Sequence, residues 1–343
     1  MAAKFAGSVL TIALALVVAG PGSAVPLPPS PPARIVAIGD LHGDHDVWIA
    51  IARGAGLIDP AGHWAGGKTT LVQTGDIVDR GPQSLAIIRD LMRIEREAAR
   101  AGGRVIVLVG NHEAMMVTGD LRYVDPGEYA AFVDRKSERR RDEFYAARRN
   151  AIEATARAVE PGLSATAIRK RVLAATPLGK VEYEAAWAAD GELGRWLIGR
   201  PAVVRVGDTL FVHGGLSPAF AAQPIDQINR QVTAALVARD EAPTAIINDP
   251  MGPLWYRGLA GLTEAGAPPL PPRAMLLDQV LGAAHAKRIV IGHTPLLSGV
   301  AVTEGGRLVR LDSGASRFYG GVPGFVEITA AGAVARNVVR PPR

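Results

Sequence analysis

An α/β domain follows from three observations on this chain of 343 residues. Five short apolar runs, at residues 34–38, 70–73, 104–109, 209–212 and 288–291, have the length and composition of buried strands. The first three alternate with helical patterns, which is the rhythm of βαβ units. Each of the five runs leads into a glycine-bounded block carrying Asp, Asn or His.

The elements follow in order. Residues 47–54 read as a helix opened by a capping Asp46. Residues 83–101 place Leu85, Ile88, Leu91, Met92 and Ile94 at helical spacing. From Glu113 to Arg200 no stretch reads as a strand. Residues 138–159, 164–175 and 183–191 read as helices, separated by Pro161-Gly162 and Pro177-Leu178-Gly179. The polar blocks resume afterwards, so residues 114–200 form a helical insertion within one domain of residues 34–340. Strands return after Ala202. Residues 260–273 are a Gly- and Pro-rich loop, and 299–339 are short strands that close the sheet.

Residues 1–24 have the form of a secretory signal: Lys4, an apolar stretch over 5–19, and small residues at Gly22-Ser23-Ala24. The stretch is shorter than the ~20 residues of a spanning helix. The expectation is a cleaved signal and a periplasmic or secreted chain with no stable membrane span, the alternative being an uncleaved anchor. Residues 25–33 are a Pro-rich linker.

The absence of Cys excludes disulfides and thiolate metal sites. The net charge of +5 suits an anionic partner. Nucleic acid is not the expected one, because few aromatic side chains interleave with the basic ones. Arg139-Arg140-Arg141 and Arg148-Arg149 read as a solvated helix face with acidic partners such as Glu138 and Asp142.

The blocks are Gly39-Asp40-Leu41-His42-Gly43, Gly75-Asp76-Ile77-Val78-Asp79-Arg80-Gly81, Gly110-Asn111-His112-Glu113, His213-Gly214-Gly215 and Gly292-His293-Thr294. Divalent metals such as Mn, Fe and Zn accept carboxylate, amide oxygen and imidazole. Asp40 and His42, two apart on one turn, can face one metal. Asp76 can bridge to a second, held also by Asn111, His213 and His293. Two metals ~3.5–4 Å apart can hold a bridging hydroxide and steady the charge developing on a phosphate. His112, beside a ligand, reads as the general acid for the leaving oxygen, and Asp79 as the partner that fixes its tautomer. Arg80 and Arg257 are candidate phosphate clamps, and Glu113 an outer carboxylate that supports the ligands. His45, His63 and a helical His285 read as bystanders, and Trp187, Trp196 and Trp255 as packing residues.

In this order the blocks resemble the signature set of the phosphoprotein-phosphatase-type, calcineurin-like metallophosphoesterases, from Arg34 to about Gly321. Leu121-Arg122-Tyr123-Val124, the stretch from Gly252 to Gly258 and Asp312-Ser313-Gly314 resemble the Shewanella-like protein phosphatases. The resemblance implies a central β-sandwich flanked by helices and two divalent metals per chain, Mn foremost with Fe or Zn as alternatives. It implies direct hydrolysis of phosphomonoesters, without a phosphoenzyme, by the bridging hydroxide. It gives Asp40, His42, Asp76, Asn111, His213, His293, His112, Asp79 and Arg80 the roles stated above, and extends to Arg257. The Ser-Ala-Pro-Asn-Tyr segment of the eukaryotic Ser/Thr enzymes is missing, and the Shewanella-like branch implies a phosphotyrosine preference. The expected partner is a phosphorylated protein or a small phosphoester. Two alternatives are hydrolysis of dinucleoside polyphosphates and a non-catalytic phosphate- or partner-binding role on the same scaffold.

Overall fold

The computed structural model describes residues 32–263 and 269–342. The signal segment and nearly all of the linker lie outside them.

Ten strands are described: β1 (Arg34–Ile38), β2 (Thr70–Gln73), β3 (Arg104–Val107), β4 (Val203–Val206), β5 (Thr209–Val212), β6 (Arg288–Ile291), β7 (Ala301–Thr303), β8 (Leu308–Arg310), β9 (Gly324–Thr329) and β10 (Gly332–Asn337). They form two five-stranded sheets, ordered β10-β9-β1-β2-β3 and β4-β5-β6-β8-β7. The short apolar runs are uninterrupted because both faces of each sheet are covered. Alternate residues point to opposite faces. Ile35, Ala37, Val72, Ile106, Phe211 and Val290 pack in the core between the sheets. Their neighbours Val36, Ile38, Leu71, Val105, Leu210 and Ile289 belong to the core formed with the helices. The fold is therefore a β-sandwich flanked by helices.

β1, β2 and β3 are parallel, as are β5, β6 and β8. Helix α1 (His45–Gly54) crosses from β1 to β2, and α2 (Ser84–Arg100) from β2 to β3. α2 buries Ile87, Ile88, Leu91, Ile94 and Ala98, a single helical stripe. The parallel strands bring their carboxyl ends to one rim, where open α/β sheets place their ligands.

Five helices fill the region between β3 and β4: α3 (Asn111–Thr118), α4 (Ser137–Val159), α5 (Ala165–Ala175), α6 (Lys180–Trp187) and α7 (Glu192–Ile198). They belong to the same contact unit as the sheets. The ring of Tyr183 on α6 meets Tyr129 at 5.2 Å and Phe132 at 5.1 Å, both edge-on. Its hydroxyl reaches Met116 Sδ of α3 at 2.7 Å, tying the insertion to the helix that starts at the rim.

Several local expectations change. α1 begins at His45, and its cap is Asp44, whose Oδ1 accepts from Val47 N, instead of Asp46. β3 stops at Val107, although Leu108 N still donates to Gln73 O of β2, and Val109 N on the outer edge donates to Pro201 O. Residues 183–191 are not one helix: Ala188 turns to an extended conformation, and α7 starts after Gly191. α8 (Pro218–Ala221) and α9 (Ile225–Ala238) add to the expected elements, and the helix expected to hold His285 is α10 (Arg273–Ala283), which ends before it and leaves His285 at φ 49°. The closing strands divide between the sheets, β7 and β8 on one and β9 and β10 on the other. Arg139 pairs with Glu143 and Arg140 with Asp134 and Glu182, while Asp142 pairs with Arg169 of α5.

Candidate metal centre

The turns after β1, β2, β5 and β6 and the start of α3 deliver the buried polar side chains Asp40, His42, Asp76, Asp79, Asn111, His112, Glu113, His213 and His293 to one rim. His42, Asp76, Asp79, Arg80 and His293 all have positive φ, between 45° and 69°. Such backbone costs about 1–3 kcal/mol per residue and persists only where surrounding contacts enforce it. Here they do. Leu41 N and His42 N both donate to Asp76 O, at 2.9 and 3.0 Å, locking the first two loops together. Gly110 is required by space, since a Cβ there would collide with the Asp76 carboxylate and with Glu113.

Asp76 occupies the middle. Its Oδ2 lies 3.8 Å from His42 Nε2 and 3.9 Å from His112 Nε2, and its Oδ1 lies 3.3 Å from His213 Nε2. Two groups of potential ligands therefore share it: His42, Asp76 and His112, and Asp76, His213 and His293. Asn111 Oδ1 joins the second group, 2.9 Å from His213 Nε2. Asp40 Oδ2 accepts from His293 N at 3.0 Å, which leaves its Oδ1 without a partner among the described residues, as is His293 Nε2. His112 N, at the positive end of α3, donates to Asp76 Oδ1 at 3.1 Å.

The imidazoles are oriented from behind. His42 Nδ1 bonds Val78 O at 2.9 Å and His213 Nδ1 bonds Thr74 O at 2.8 Å, leaving Nε2 of each toward the centre. Glu113 accepts four backbone N–H groups, from Asp76, Ile77, Val78 and Gly110, at 2.7–3.2 Å. It thereby fixes the turn that carries Asp76.

Burial, only partly opposed by the Asp76 charge, lowers His42 to a pKa of about 4. Burial and the charges of His213 and Arg257 hold His293 well below the usual imidazole range. Both imidazoles are neutral at pH 7. Burial and then the neighbouring Asp312 and Asp76 carboxylates push Asp40 well above its usual range, and burial raises Asp312 to about 6. Several buried carboxylates this close cannot all ionise without a counter-charge. Divalent cations provide it, and the oxygen and imidazole donors fit them. The unpartnered, inward-facing atoms of Asp40 and His293 agree with that fit.

His112 differs from His42 and His213 in holding its Nδ1 against a carboxylate instead of a backbone carbonyl, and its pKa is raised as that of His213 is. The Nδ1 of His112 is 2.5 Å from Asp79 Oδ2. Burial depresses its pKa, but the Asp76 charge and the Asp79 hydrogen bond and charge outweigh this and raise it, which suits a proton donor. Arg80 Cζ stacks between Tyr123, 3.9 Å from the ring centroid, and Phe318 at 4.9 Å. Arg257, half-buried after Tyr256, is near enough to His293 to depress it.

The remaining histidines are elsewhere. His45 Nε2 bonds Asp90 at 2.9 Å, and exposed His63 meets Glu97 at 3.3 Å. Four neighbours of the centre have no site role in the sequence pattern: Tyr123 against His112 at 5.2 Å, Trp255, expected only to pack, against His293 at 5.5 Å, Tyr319 against His42 at 5.3 Å, and Phe318 on Arg80. Asp312 is a fifth. The only sequence signals were the blocks around Tyr123, Trp255 and Asp312; Phe318 and Tyr319 had none.

A metal-assisted phosphoester hydrolase is the class this sandwich and site define. Residues 33–318 match the calcineurin-like phosphoesterase family, and the chain belongs to it. It is 30% identical to Shewanella-like protein phosphatase 2 of Arabidopsis thaliana, over 87% of this chain and 75% of that protein. It is 29% identical to an uncharacterised protein of Schizosaccharomyces pombe, over 87% of this chain and 78% of that one. Among solved structures, the cold-active protein-tyrosine phosphatase of a psychrophilic Shewanella species superposes with a TM-score of 0.64 at 25% identity, covering 90% of this chain and 80% of that chain.

Proposed function

We propose that this protein is a two-metal phosphatase that hydrolyses phosphomonoesters on proteins, with a preference for phosphotyrosine. The carrying observation is the placement of Asp76, one carboxylate oxygen facing His42 and the other His213. In this reading Asp40, His42 and Asp76 hold one divalent ion, and Asp76, Asn111, His213 and His293 the other. Bound ions of this kind supply activated water and neutralise charge on the phosphate. Mn is the proposed metal, with Fe and Zn admitted by the same donors.

The chain's own residues do the rest. Arg80 and Arg257 grip the phosphate oxygens. His112 gives its Nε2 proton to the leaving oxygen, while Asp79 holds the opposite ring nitrogen and stabilises the charged ring beforehand. Glu113 keeps the Asp76 turn in position. The protein substrate and the phosphotyrosine preference draw support from the Arabidopsis protein phosphatase and the Shewanella tyrosine phosphatase. Export belongs to the proposal too, with the mature chain starting near Val25. Among the described residues no helix is long and apolar enough to cross a membrane.

The test is a panel of phosphotyrosyl and phosphoseryl peptides and a dinucleoside tetraphosphate, assayed after chelation and re-addition of Mn²⁺, Fe²⁺, Zn²⁺ or Mg²⁺. Faster turnover of phosphotyrosine is expected. Preference for the dinucleotide would favour the polyphosphate hydrolase, and no turnover with any metal would favour a binding role.

A further inference from the structure

The leaving group of a phosphoester must lie on the side from which His112 donates its proton. Tyr123 packs on the His112 ring, and Trp255 on the His293 ring. These two aromatic side chains border one cavity of about 560 Å³, whose lining continues past Thr118 and Gly119 to Glu241. Such a volume is within the roughly 300–1,000 Å³ of ligand sites. Trp255 is fixed as a wall by its Nε1–H, which donates to Ile247 O at 2.8 Å.

Met115 and Thr118 of α3 form part of the wall of this cavity. His112 stands at the beginning of the helix and Thr118 at its end. With a rise of 1.5 Å per residue, Thr118 of the lining stands roughly 9 Å along α3 from the acid. A lone aryl phosphate does not fill that distance. A phosphorylated side chain with the next residue or two of an extended peptide does, at about 3.3 Å per added residue. At the far end Asp120 is paired with Arg122, and Arg239 donates to Thr118 O. Glu241 lies exposed beside them.

We propose that this cavity is the leaving-group subsite for a phosphotyrosyl peptide. Tyr123 and Trp255 flank the phosphorylated ring, and the groove toward Glu241 receives the residues next to it, with Glu241 favouring a basic one. This rests on the phosphatase reading and adds where the peptide lies and which residues select it.

Two variants test it, with Mn²⁺ restored. Trp255→Leu should lower the ratio of kcat/KM for phosphotyrosyl peptide over an alkyl phosphate by about 2- to 10-fold, the size of one aromatic contact. Glu241→Arg, on the surface and safe for folding, should reverse the ranking of phosphotyrosyl peptides with Lys or Glu beside the phosphorylated residue. 4-Nitrophenyl phosphate, too short to reach Glu241, reports whether the metal centre works in each protein. Hydrolysis by all proteins with both ratios unchanged would overturn this assignment and leave the phosphatase reading intact. Failure of the wild type to hydrolyse even 4-nitrophenyl phosphate would overturn both.

Discussion

Nδ1 of His112 lies 2.5 Å from Oδ2 of Asp79, while Nε2 of the same ring faces the centre, 3.9 Å from Asp76 Oδ2. One nitrogen is thus committed to a positioning carboxylate, and the other is available to a leaving oxygen. His112→Asn should retain metal and slow turnover by roughly 10²–10⁴-fold, the usual contribution of a positioned acid. The loss should be larger for an alkyl phosphate than for 4-nitrophenyl phosphate, whose phenoxide needs the proton less. Asp79→Asn should show a milder form of this pattern. Loss of a metal, or equal slowing of both substrates, would make His112 a ligand or a structural residue.

Glu113 gathers four backbone N–H groups while fully buried. Glu113→Gln keeps one acceptor oxygen and turns an amide toward two donors. Stability should fall by about 2–4 kcal/mol, as expected for orphaned buried donors, and metal retention should weaken with it. Denaturant unfolding and metal analysis check this, and unchanged values in both would contradict the role of Glu113 as anchor of the Asp76 turn.

Phe318, more than half exposed, covers one face of the Arg80 guanidinium. Phe318→Ala should raise the inhibition constant of inorganic phosphate by about 2- to 5-fold, in line with ~0.5–1 kcal/mol for an exposed cation–π contact. kcat should change less. An unaltered constant would show that Tyr123 alone positions Arg80.

Glu128 is buried and accepts from Ser84 N at 2.6 Å. Burial, only partly opposed by its hydrogen bonds to Ser84, raises its pKa from 4.5 to about 7. The folded chain therefore holds this proton where the unfolded chain has released it. The group's contribution to stability is full below the unfolded value and is lost as pH rises through the folded one, between about 4.5 and 7. The loss is of the order of 3 kcal/mol at 1.36 kcal/mol per pKa unit. Glu128→Gln should flatten stability over this window, and parallel curves for wild type and variant would contradict it.

The sheets were largely legible because their strands are buried on both faces, so β1, β2, β5 and β6 read as unbroken apolar runs with boundaries that the structure keeps. The metal-type residues were legible because each sits one turn beyond such a run. The contacts that cross the molecule were not. Asp44 and Asp46 both flank His45, and the Arg317 side chain meets both carboxylates, while the Arg317 backbone N–H binds the Asp44 carboxylate from 273 residues away. The stacking of Tyr123 and Phe318 on Arg80 likewise joins a turn after α3 to the segment before β9, and no periodicity signals it. α9 is a different case. Ile228, Val232 and Leu236 repeat every fourth residue on its buried face, a helical signal carried by the sequence itself.

The shared carboxylate of Asp76 is the centre of the account, and metal content measured together with turnover in Asp76→Asn tests it most directly. The wild type should bind two divalent ions per chain, lose activity on chelation and regain it when metal returns. Asp76→Asn should bind fewer ions and lose most turnover, because the side chain between the two histidine groups has lost its charge. Two tightly held ions and near-normal hydrolysis in Asp76→Asn, or wild-type hydrolysis that survives complete chelation, would contradict it.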